Sequence, residues 1–326
     1  MDRLIKLAVR VVCGACALSA CAVALAQGYP TKAIRWIVPY PPGGGTDVIS
    51  RALAPHLQAN LGQPVVIDNR PSATGFIGIE AVARSAPDGY MMLTSGNELV
   101  MMKTMYRNLT FDPQRDLAAV AIMVTVPIAL FVHESVPAKT VKELIAYAKS
   151  QPGKINFGSP GVGHGFHLAM EMFLSYTGTQ MTHIPYKGSA LVMQDLFSGR
   201  IQATMYPADS RYVAQVKKGE LRALAAGVGK RLAALPEVPT FEEAGVANYN
   251  ADGFNSVTVR SGTPRDIIER LSREIRTALV TPDLAKTIEA LSVLPNTMNA
   301  EQAQDFMNHQ VEAWSKVIKS LGLVLD

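Results

Sequence analysis

The sequence predicts an α/β protein of two lobes, each built around its own sheet. From Ile34 onward, short runs rich in β-forming residues alternate with segments of helical periodicity, which is typical of βαβ units with parallel strands. Nine such runs are too many for one small sheet. No internal repeat or long polar linker separates them, so we expect the lobes to be joined by crossing strands, near residues 125–128 and 251–259.

The individual elements follow from periodicity and from end signals. Candidate strands lie at residues 34–38, 65–67, 90–94, 120–125, 128–132, 155–157, 182–184, 201–206 and 221–226. Apolar residues recur at helical spacing over residues 48–61, which predicts a helix capped by Thr46 or Asp47 and ended by Gly62. Thr140 and Glu143 form a capping-box pattern before a second helix. Further helices are predicted at residues 77–82, 166–176, 190–197 and 264–279, and residues 301–326 are predicted to form one more helix and a tail.

The first 26 residues have the features of a secretory signal peptide. Three basic residues precede an uncharged apolar stretch, residues 11–26, that ends in small residues. This stretch is shorter than the roughly 20 apolar residues that a membrane span needs. We therefore expect cleavage after Ala26 and a periplasmic product. Lipidation of Cys21, which would anchor the chain as a lipoprotein, is the alternative that the same residues leave open.

Composition excludes several classes of function. With 326 residues and 48% hydrophobic content, the chain can fill one or two α/β cores. Its three cysteines all lie in the leader, so the mature chain has no disulfide, catalytic cysteine or thiolate metal site. The formal net charge is +4, of which the leader contributes +2, from three basic residues and Asp2. A mature chain near +2 does not indicate a nucleic-acid partner.

A glycine-rich loop after the first strand is the first candidate binding segment. Its glycines let the backbone approach a ligand closely, and the free amides at the following helix start carry about half a positive charge. A plain strand-to-helix turn is the alternative. The loop has neither the Gly-Lys-Ser ending of a phosphate loop nor the dinucleotide spacing. Its candidate residues are Tyr40, Pro42, Gly43, Gly44 and Thr46.

Two later loops repeat this arrangement. The second follows the strand at residues 65–67 and has the candidate residues Ser72, Ala73, Thr74 and Gly75. Arg70, at its start, either pairs with a ligand carboxylate or ties down neighbouring protein groups. The third follows residues 155–157 and has the candidate residues Gly161, Val162, Gly163, His164 and Gly165. Two facing helix starts would suit a molecule that is negative at both ends.

Motifs for catalysis or metal binding are not evident in the sequence. His164 and His167 stand close enough to share a metal, but no third ligand accompanies them, so we expect no metal. We interpret His167 as a packed helix residue bonded to backbone and His164 as a loop residue at the cleft. The serine-elbow, zinc-helix and lactamase motifs are missing, and the chain is therefore not expected to be an enzyme or to hold a cofactor.

Seven blocks, in order along the chain, resemble the solute-binding receptors of tripartite tricarboxylate transporters, the Bug proteins. They read YPTKAIRWIVPYPPGGGTD, LGQPVVIDNRPSATGFIG, APDGYMML, INFGSPGVGHGFHLAMEMF, HIPYKGS, LPEVPTFEEAG and SGTP. The resemblance implies a type II periplasmic binding protein fold, with two Rossmann-like lobes, crossing strands and a ligand cleft between them. Lobe 1 would comprise residues 27–125 and 252–326, and lobe 2 residues 126–251.

The resemblance also implies a function. The ligand would be a small carboxylate: a di- or tricarboxylate, an acidic amino acid or an aromatic acid. The first two loops would hold one carboxylate through amides, and the third loop, with Asp209, would set specificity. His164 stands where the family has a small hydroxyl residue. Membrane permease subunits are the expected partners and a monomer the expected state; a sensor kinase as partner, or a secreted hydrolase, are the alternatives.

Overall fold

Two mixed sheets form the structure, a computed structural model that describes residues 28–72, 75–227 and 229–323. The predicted leader, Cys21, Ala73 and Thr74 lie outside the described residues, so the expectations about them stay predictions. In the described part of the chain, no helix has the length and apolar character needed to cross a membrane.

The first sheet has six strands in the order β11-β4-β10-β3-β1-β2. They are β1 (Ile34–Val38), β2 (Val65–Asn69), β3 (Met91–Ser95), β4 (Leu117–Val126), β10 (Gly253–Arg260) and β11 (Leu294–Pro295). Strand β1 pairs in parallel with β2 and β3, whereas β10 runs antiparallel to both β3 and β4. The last two strands were not among the nine predicted runs; the sequence marked only a crossing in the region of β10.

The second sheet has five strands in the order β7-β6-β8-β5-β9. They are β5 (Ile128–His133), β6 (Asn156–Ser159), β7 (Thr182–Pro185), β8 (Ala203–Pro207) and β9 (Leu221–Ala226). Strand β6 is parallel to β7 and β8, but β5 is antiparallel to β8 and β9. Both sheets are therefore mixed: the predicted parallel pairs are present, and the strands that cross between the sheets add antiparallel ones. A strand that enters a sheet directly from the other sheet has no helical crossover to return the chain, so it runs in the opposite direction.

Helices cover both faces of each sheet. They are α1 (Gly45–Leu61), α2 (Phe76–Ala83), α3 (Asn97–Met105), α4 (Pro113–Asp116), α5 (Val141–Ser150), α6 (Gly165–Thr177), α7 (Ser189–Phe197), α8 (Ser210–Lys218), α9 (Arg265–Leu279), α10 (Pro282–Ala290) and α11 (Ala300–Ser320). Helix α1 begins at Gly45, so Thr46 and Asp47 lie inside its first turn and the predicted side-chain cap is wrong. Gly62 ends α1 in a left-handed conformation, as predicted.

Alternating side chains on the central strands separate the core into layers. On β1, Trp36 packs with α1, α9 and α10, while its neighbour Ile37 packs with α2 and α3 on the opposite face. On β5, Leu130 faces α5 and α6, and Phe131 faces α7 and α8. All four side chains are fully buried. Burial on both faces leaves the carboxyl ends of the strands, and the loops that follow them, as the places where the two sheets can enclose a ligand.

One carboxylate ties the two crossing segments together. Asp252, which precedes β10, accepts a hydrogen bond at 3.0 Å from the backbone N–H of Ile128, the first residue of β5. Gly253 and Val126 face each other in adjacent strands. The chain therefore passes between the sheets at two points that are in direct contact. The lobe boundaries implied by the resemblance, at residues 125/126 and 251/252, stay predictions.

Candidate functional site

A cleft of about 890 Å³ lies between the two sheets and is lined by residues of both. Its walls include the first residues or N-cap residues of five helices: α1, α2 and α3 on the side of the first sheet, and α6 and α8 on the side of the second. The amides of a first helical turn have no acceptor within the helix, and they carry the positive end of its dipole. The cleft therefore suits an anion.

Asp47 organises the first loop. It is 1% exposed, and its carboxylate accepts hydrogen bonds from the Gly43 N–H (2.9 Å), from Arg51 Nε (2.9 and 3.0 Å) and from Asn69 Nδ2 (2.8 Å). Asn69 Nδ2 also donates to the Tyr40 carbonyl at 3.1 Å. Burial opposes ionisation of Asp47, but these hydrogen bonds outweigh it and lower its pKa.

The second loop reaches the cleft through Ser72 and Gly75. Gly75 has a positive φ of 73° and precedes α2, and its N–H donates to the Ser72 carbonyl at 3.2 Å. The Ser72 hydroxyl is buried and has no hydrogen-bond partner in the described chain. Arg70 pairs with Asp68 at 2.9 Å and is not among the cleft-lining residues, which favours its interpretation as a residue that ties down protein groups.

The third loop is held by its own histidines. His164 is the N-cap of α6, and its Nδ1 accepts from the Phe166 N–H at 3.2 Å. His167 is 5% exposed, and its Nδ1 accepts from the Gly163 N–H at 3.1 Å. The interpretation of His167 as a packed residue bonded to backbone is confirmed. The Gly163 amide is consequently occupied, while the first-turn amide of Gly165 has no acceptor within the helix.

Three stacked aromatic rings pack beside this loop and support it. The His167 ring lies 3.9 Å from that of His183, and both stack on Phe157. His183 Nε2 lies 2.7 Å from the Ser159 hydroxyl, which donates to the Gly161 carbonyl at 2.9 Å. Burial, and then the neighbouring His167, lower the pKa of His183 to about 4. The same two causes lower the pKa of His164 to about 4, although its ring is open to the cleft.

The start of α8 brings an ion pair to the cleft. Asp209 is the N-cap residue and accepts from the N–H groups of Arg211 (2.9 Å) and Tyr212 (3.3 Å). The Arg211 guanidinium donates to Asp209 Oδ2 at 2.6 Å. Asp209 was predicted from the resemblance, but Arg211 was missed. No local motif singles out Arg211, since only the position of α8 turns it toward the cleft.

The loop after β3 adds a partly buried carboxyl group that the sequence did not single out. Glu98 Oε1 accepts from the Tyr40 hydroxyl at 2.5 Å and from the Gly96 N–H at 2.7 Å. Burial raises the pKa of Glu98 despite these two hydrogen bonds. A usable signal existed, because Glu98 follows a parallel strand at the same sheet edge as the first two loops.

Aromatic and methionine side chains form the apolar part of the cleft. On the second-sheet side, the Phe166 ring lies 4.8 Å from Tyr206, which stacks on Tyr212 at 4.7 Å. On the first-sheet side, Met101, Met102 and Met105 contribute from α3. These surfaces can hold the hydrocarbon part of a ligand between the polar helix starts.

Most of the predicted site residues are brought together. Those that line the cleft are Tyr40, Thr46, Ser72, Gly75, Gly161, Val162, Gly163, His164, Gly165 and Asp209. Pro42, Gly43 and Gly44 are exposed and do not line it; Pro41 and Gly45 do so instead. The reason is the early start of α1, which turns the apex of the loop outward. Ala73 and Thr74 lie outside the described residues, and within those residues no group of three His, Asp or Glu side chains could hold a metal.

Comparisons with known proteins agree with the sequence blocks. The model of the tripartite tricarboxylate transporter family receptor matches residues 49–323. Protein BugT from Bordetella pertussis is 34% identical over 302 residues, covering 92% of each chain. A UPF0065 protein from the tcbD-tcbE intergenic region of Pseudomonas sp. strain P51 is 32% identical over 293 residues, which is 90% of this chain and 87% of that one.

Solved structures share the whole architecture. A periplasmic transporter protein superposes with a TM-score of 0.76 at 32% identity, over 92% of this chain and all of the other. An R. palustris protein solved with adipate superposes with a TM-score of 0.75 at 31% identity, over 90% of this chain and 98% of that one. The periplasmic binding protein BugD superposes with a TM-score of 0.73 at 28% identity, over 91% of this chain and 99% of that one. The predicted fold class, a periplasmic binding protein fold with two α/β lobes, is confirmed.

Proposed function

The chain belongs to the tripartite tricarboxylate transporter receptor family, and from that premise we propose that it captures a small carboxylate outside the cytoplasmic membrane. The captured ligand is then delivered to the membrane permease subunits of a transporter. The observation that carries this proposal is the convergence of five helix N-termini on one cleft. Burying a carboxylate without donors costs several kcal/mol. The first-turn amides of α1 and α2, which no side chain caps, and the Gly165 amide at the start of α6 supply donors.

In the proposed binding mode, one carboxylate of the ligand lies against the starts of α1 and α2. Donors there are the first-turn amides of Gly45 and Thr46, and the Ser72 hydroxyl, which has no hydrogen-bond partner among the described residues. The start of α6, at His164 and Gly165, faces the ligand from the other sheet. Closure of the lobes about the crossing segments around Asp252 then removes the ligand from water. The bound adipate in a relative of 31% identity supports a carboxylate ligand.

The pair of polar side chains that could suggest catalysis is better explained by a structural role, which favours binding without catalysis. Ser159 and His183 are within hydrogen-bond distance, which is a feature of serine hydrolases. However, Ser159 is 0% exposed and its hydroxyl is bonded to the Gly161 carbonyl, so it cannot reach a substrate. Export by the predicted leader, with cleavage after Ala26 or lipidation of Cys21, would place the receptor where the ligand arrives.

A thermal-shift screen of the purified mature chain tests the proposal. The panel contains adipate, malate, glutamate and benzoate, with the neutral diamide of adipic acid and glucose as controls. A ligand present at about 100 times its dissociation constant adds about 2.7 kcal/mol to the free energy of unfolding, so a true ligand raises the melting temperature clearly. A chain that melts higher with glucose or the diamide, and not with any acid, would contradict a carboxylate receptor.

A further inference from the structure

We propose that Arg211 binds a second carboxylate group of the ligand, and that this contact selects dicarboxylates over monocarboxylates of the same length. The inference rests on the proposed function and deepens it, since it assigns the opposite end of the ligand to one side chain. It arises from the structure, because Arg211 lies in no glycine-rich loop of the sequence.

The Arg211 side chain is held in place and yet open. It lies in the first turn of α8, where Asp209 Oδ2 accepts from its Nη2 at 2.6 Å and Asp209 Oδ1 lies 3.4 Å from its Nε. The backbone amides of Arg211 and Tyr212 fix Asp209 in turn. A guanidinium has five N–H groups, and this ion pair engages only part of them. The Arg211 side chain remains 57% exposed, so the remaining N–H groups are available to a ligand.

The charges around the cleft make Arg211 distinctive. Among the cleft-lining residues that the structure describes, it is the only lysine or arginine. The lining carboxyl groups are Asp209, already satisfied by Arg211 and two amides, and Glu98, whose pKa is raised by burial. His164 has a pKa of about 4 and is neutral at pH 7. Within the described cleft lining, a second anionic group of the ligand therefore finds guanidinium N–H donors only at Arg211.

An apolar surface lines the same wall of the cleft as Arg211. Phe166 and Tyr206 contact each other in a row of rings that runs from the start of α6 to the start of α8. The hydrocarbon part of a dicarboxylate can pack on these rings, with one carboxylate at the starts of α1 and α2 and the other at Arg211. A monocarboxylate of the same length would place a methyl group beside the guanidinium. The guanidinium would then lack the second carboxylate as a partner.

Calorimetric titration at pH 7.5 tests the inference on the purified mature chain. The ligands are unbranched dicarboxylates from malonate to pimelate, each paired with the monocarboxylate of equal carbon number. The variants are Arg211→Gln, Arg211→Lys and the control Arg200→Gln. Arg200 is also an exposed lobe-2 arginine paired with an aspartate, Asp195 at 3.1 Å, but it lies outside the cleft.

We expect the wild type to bind its best dicarboxylate at least about tenfold more tightly than the matched monocarboxylate, since a site built to pair with a group rejects an analogue that lacks it. Arg211→Gln should weaken the affinity for the dicarboxylate about tenfold and change the affinity for the monocarboxylate less than about twofold. Arg211→Lys should lie between, because lysine keeps the charge without the planar fork. Arg200→Gln should match the wild type.

The outcomes separate this inference from the proposed function. If acids bind but Arg211→Gln keeps the preference for dicarboxylates, Arg211 does not select the ligand and only the inference is wrong. If no acid binds the wild type, the proposed function fails and the inference with it. The melting temperature of Arg211→Gln checks its folding and should stay within a few degrees of the wild type. Asp209→Asn should also keep its melting temperature, because asparagine caps a helix as well as aspartate. Its preference for the dicarboxylate over the monocarboxylate should fall in part, because Arg211 is then less firmly positioned.

Discussion

Replacing Asp47 by alanine should loosen the first loop and destabilise the whole chain. Asp47 is 1% exposed and accepts from a backbone amide, a guanidinium and a side-chain amide that belong to three different segments. Asp47→Ala leaves the Gly43 N–H and the Asn69 side-chain amide without this acceptor in a partly buried place. The same change removes a negative charge from the first turn of α1.

The magnitude follows from these contacts. Two hydrogen bonds to a charged, buried acceptor contribute about 1–1.5 kcal/mol each, allowing for partial access of water. The pair with Arg51 adds little, because the Arg51 side chain is 49% exposed. The charge at the helix start contributes about 0.3–1 kcal/mol. Together they predict a loss of about 3 kcal/mol, which lowers the urea midpoint by about 1 M at a slope of about 3 kcal/mol per molar.

Urea unfolding followed by circular dichroism measures this loss. Asp266→Ala is the matched control, because Asp266 also lies in a first helical turn, that of α9, but is exposed. It should cost no more than the dipole contribution of about 0.3–1 kcal/mol. A double-mutant cycle with Asn69→Ala should show a coupling of at least about 0.5 kcal/mol. If Asp47→Ala stays within about 0.5 kcal/mol of the wild type, the assignment of Asp47 as organiser of the loop is refuted.

Three further predictions concern pH and packing. The folded chain holds the pKa of His183 at about 4, so the unfolded chain takes up a proton first as the pH falls below about 6.5. The free energy of unfolding should therefore decline between about pH 6.5 and 4. His183→Asn should make this decline less steep, as measured by urea unfolding at each pH. Hydrogen bonding to the Asp112 backbone and pairing with Arg260 hold the pKa of Asp116 at about 2. The contribution of Asp116 to the free energy of unfolding is therefore present above about pH 4 and lost toward pH 2. Asp116→Asn should cost about 2 kcal/mol at pH 7, and an unchanged urea midpoint would contradict this. A Cβ on Gly78 would lie 2.8 Å from Pro39 Cβ, so Gly78→Ala should lower the melting temperature and destabilise by about 1–3 kcal/mol despite the better helix propensity of alanine.

Local sequence predicted the three glycine-rich loops and most of the elements beside them. Strand β1 has its predicted bounds, and α6 and α9 begin within one residue of theirs. These features depend on residues within a few positions of one another: the alternation of a strand, the repeat of a helix, and glycine at a turn. The family resemblance, carried by seven ordered blocks, added the fold class and the class of function.

Other features were set by contacts between distant segments. Asp47 was one of two candidate helix caps, with Thr46. Its partner Asn69 lies 22 residues away on the neighbouring strand, and the carboxylate is a buried acceptor instead. Glu98 reached the cleft because β3 lies beside β1, and its bond to Tyr40 joins two loops 58 residues apart. Arg211 faces the cleft only because α8 follows a strand at the centre of the second sheet.

The sequence by itself determined that this protein is an α/β receptor-like chain with helix starts suited to an anion, and it indicated which loops carry them. Only the tertiary structure decided which amides remain free, which carboxyl groups lie in the cleft, and which arginine faces the ligand. The physical reason is the range of the interactions. Propensity and capping act over a few residues, whereas burial, pairing of charges and the direction of a crossing strand depend on which distant segments pack together.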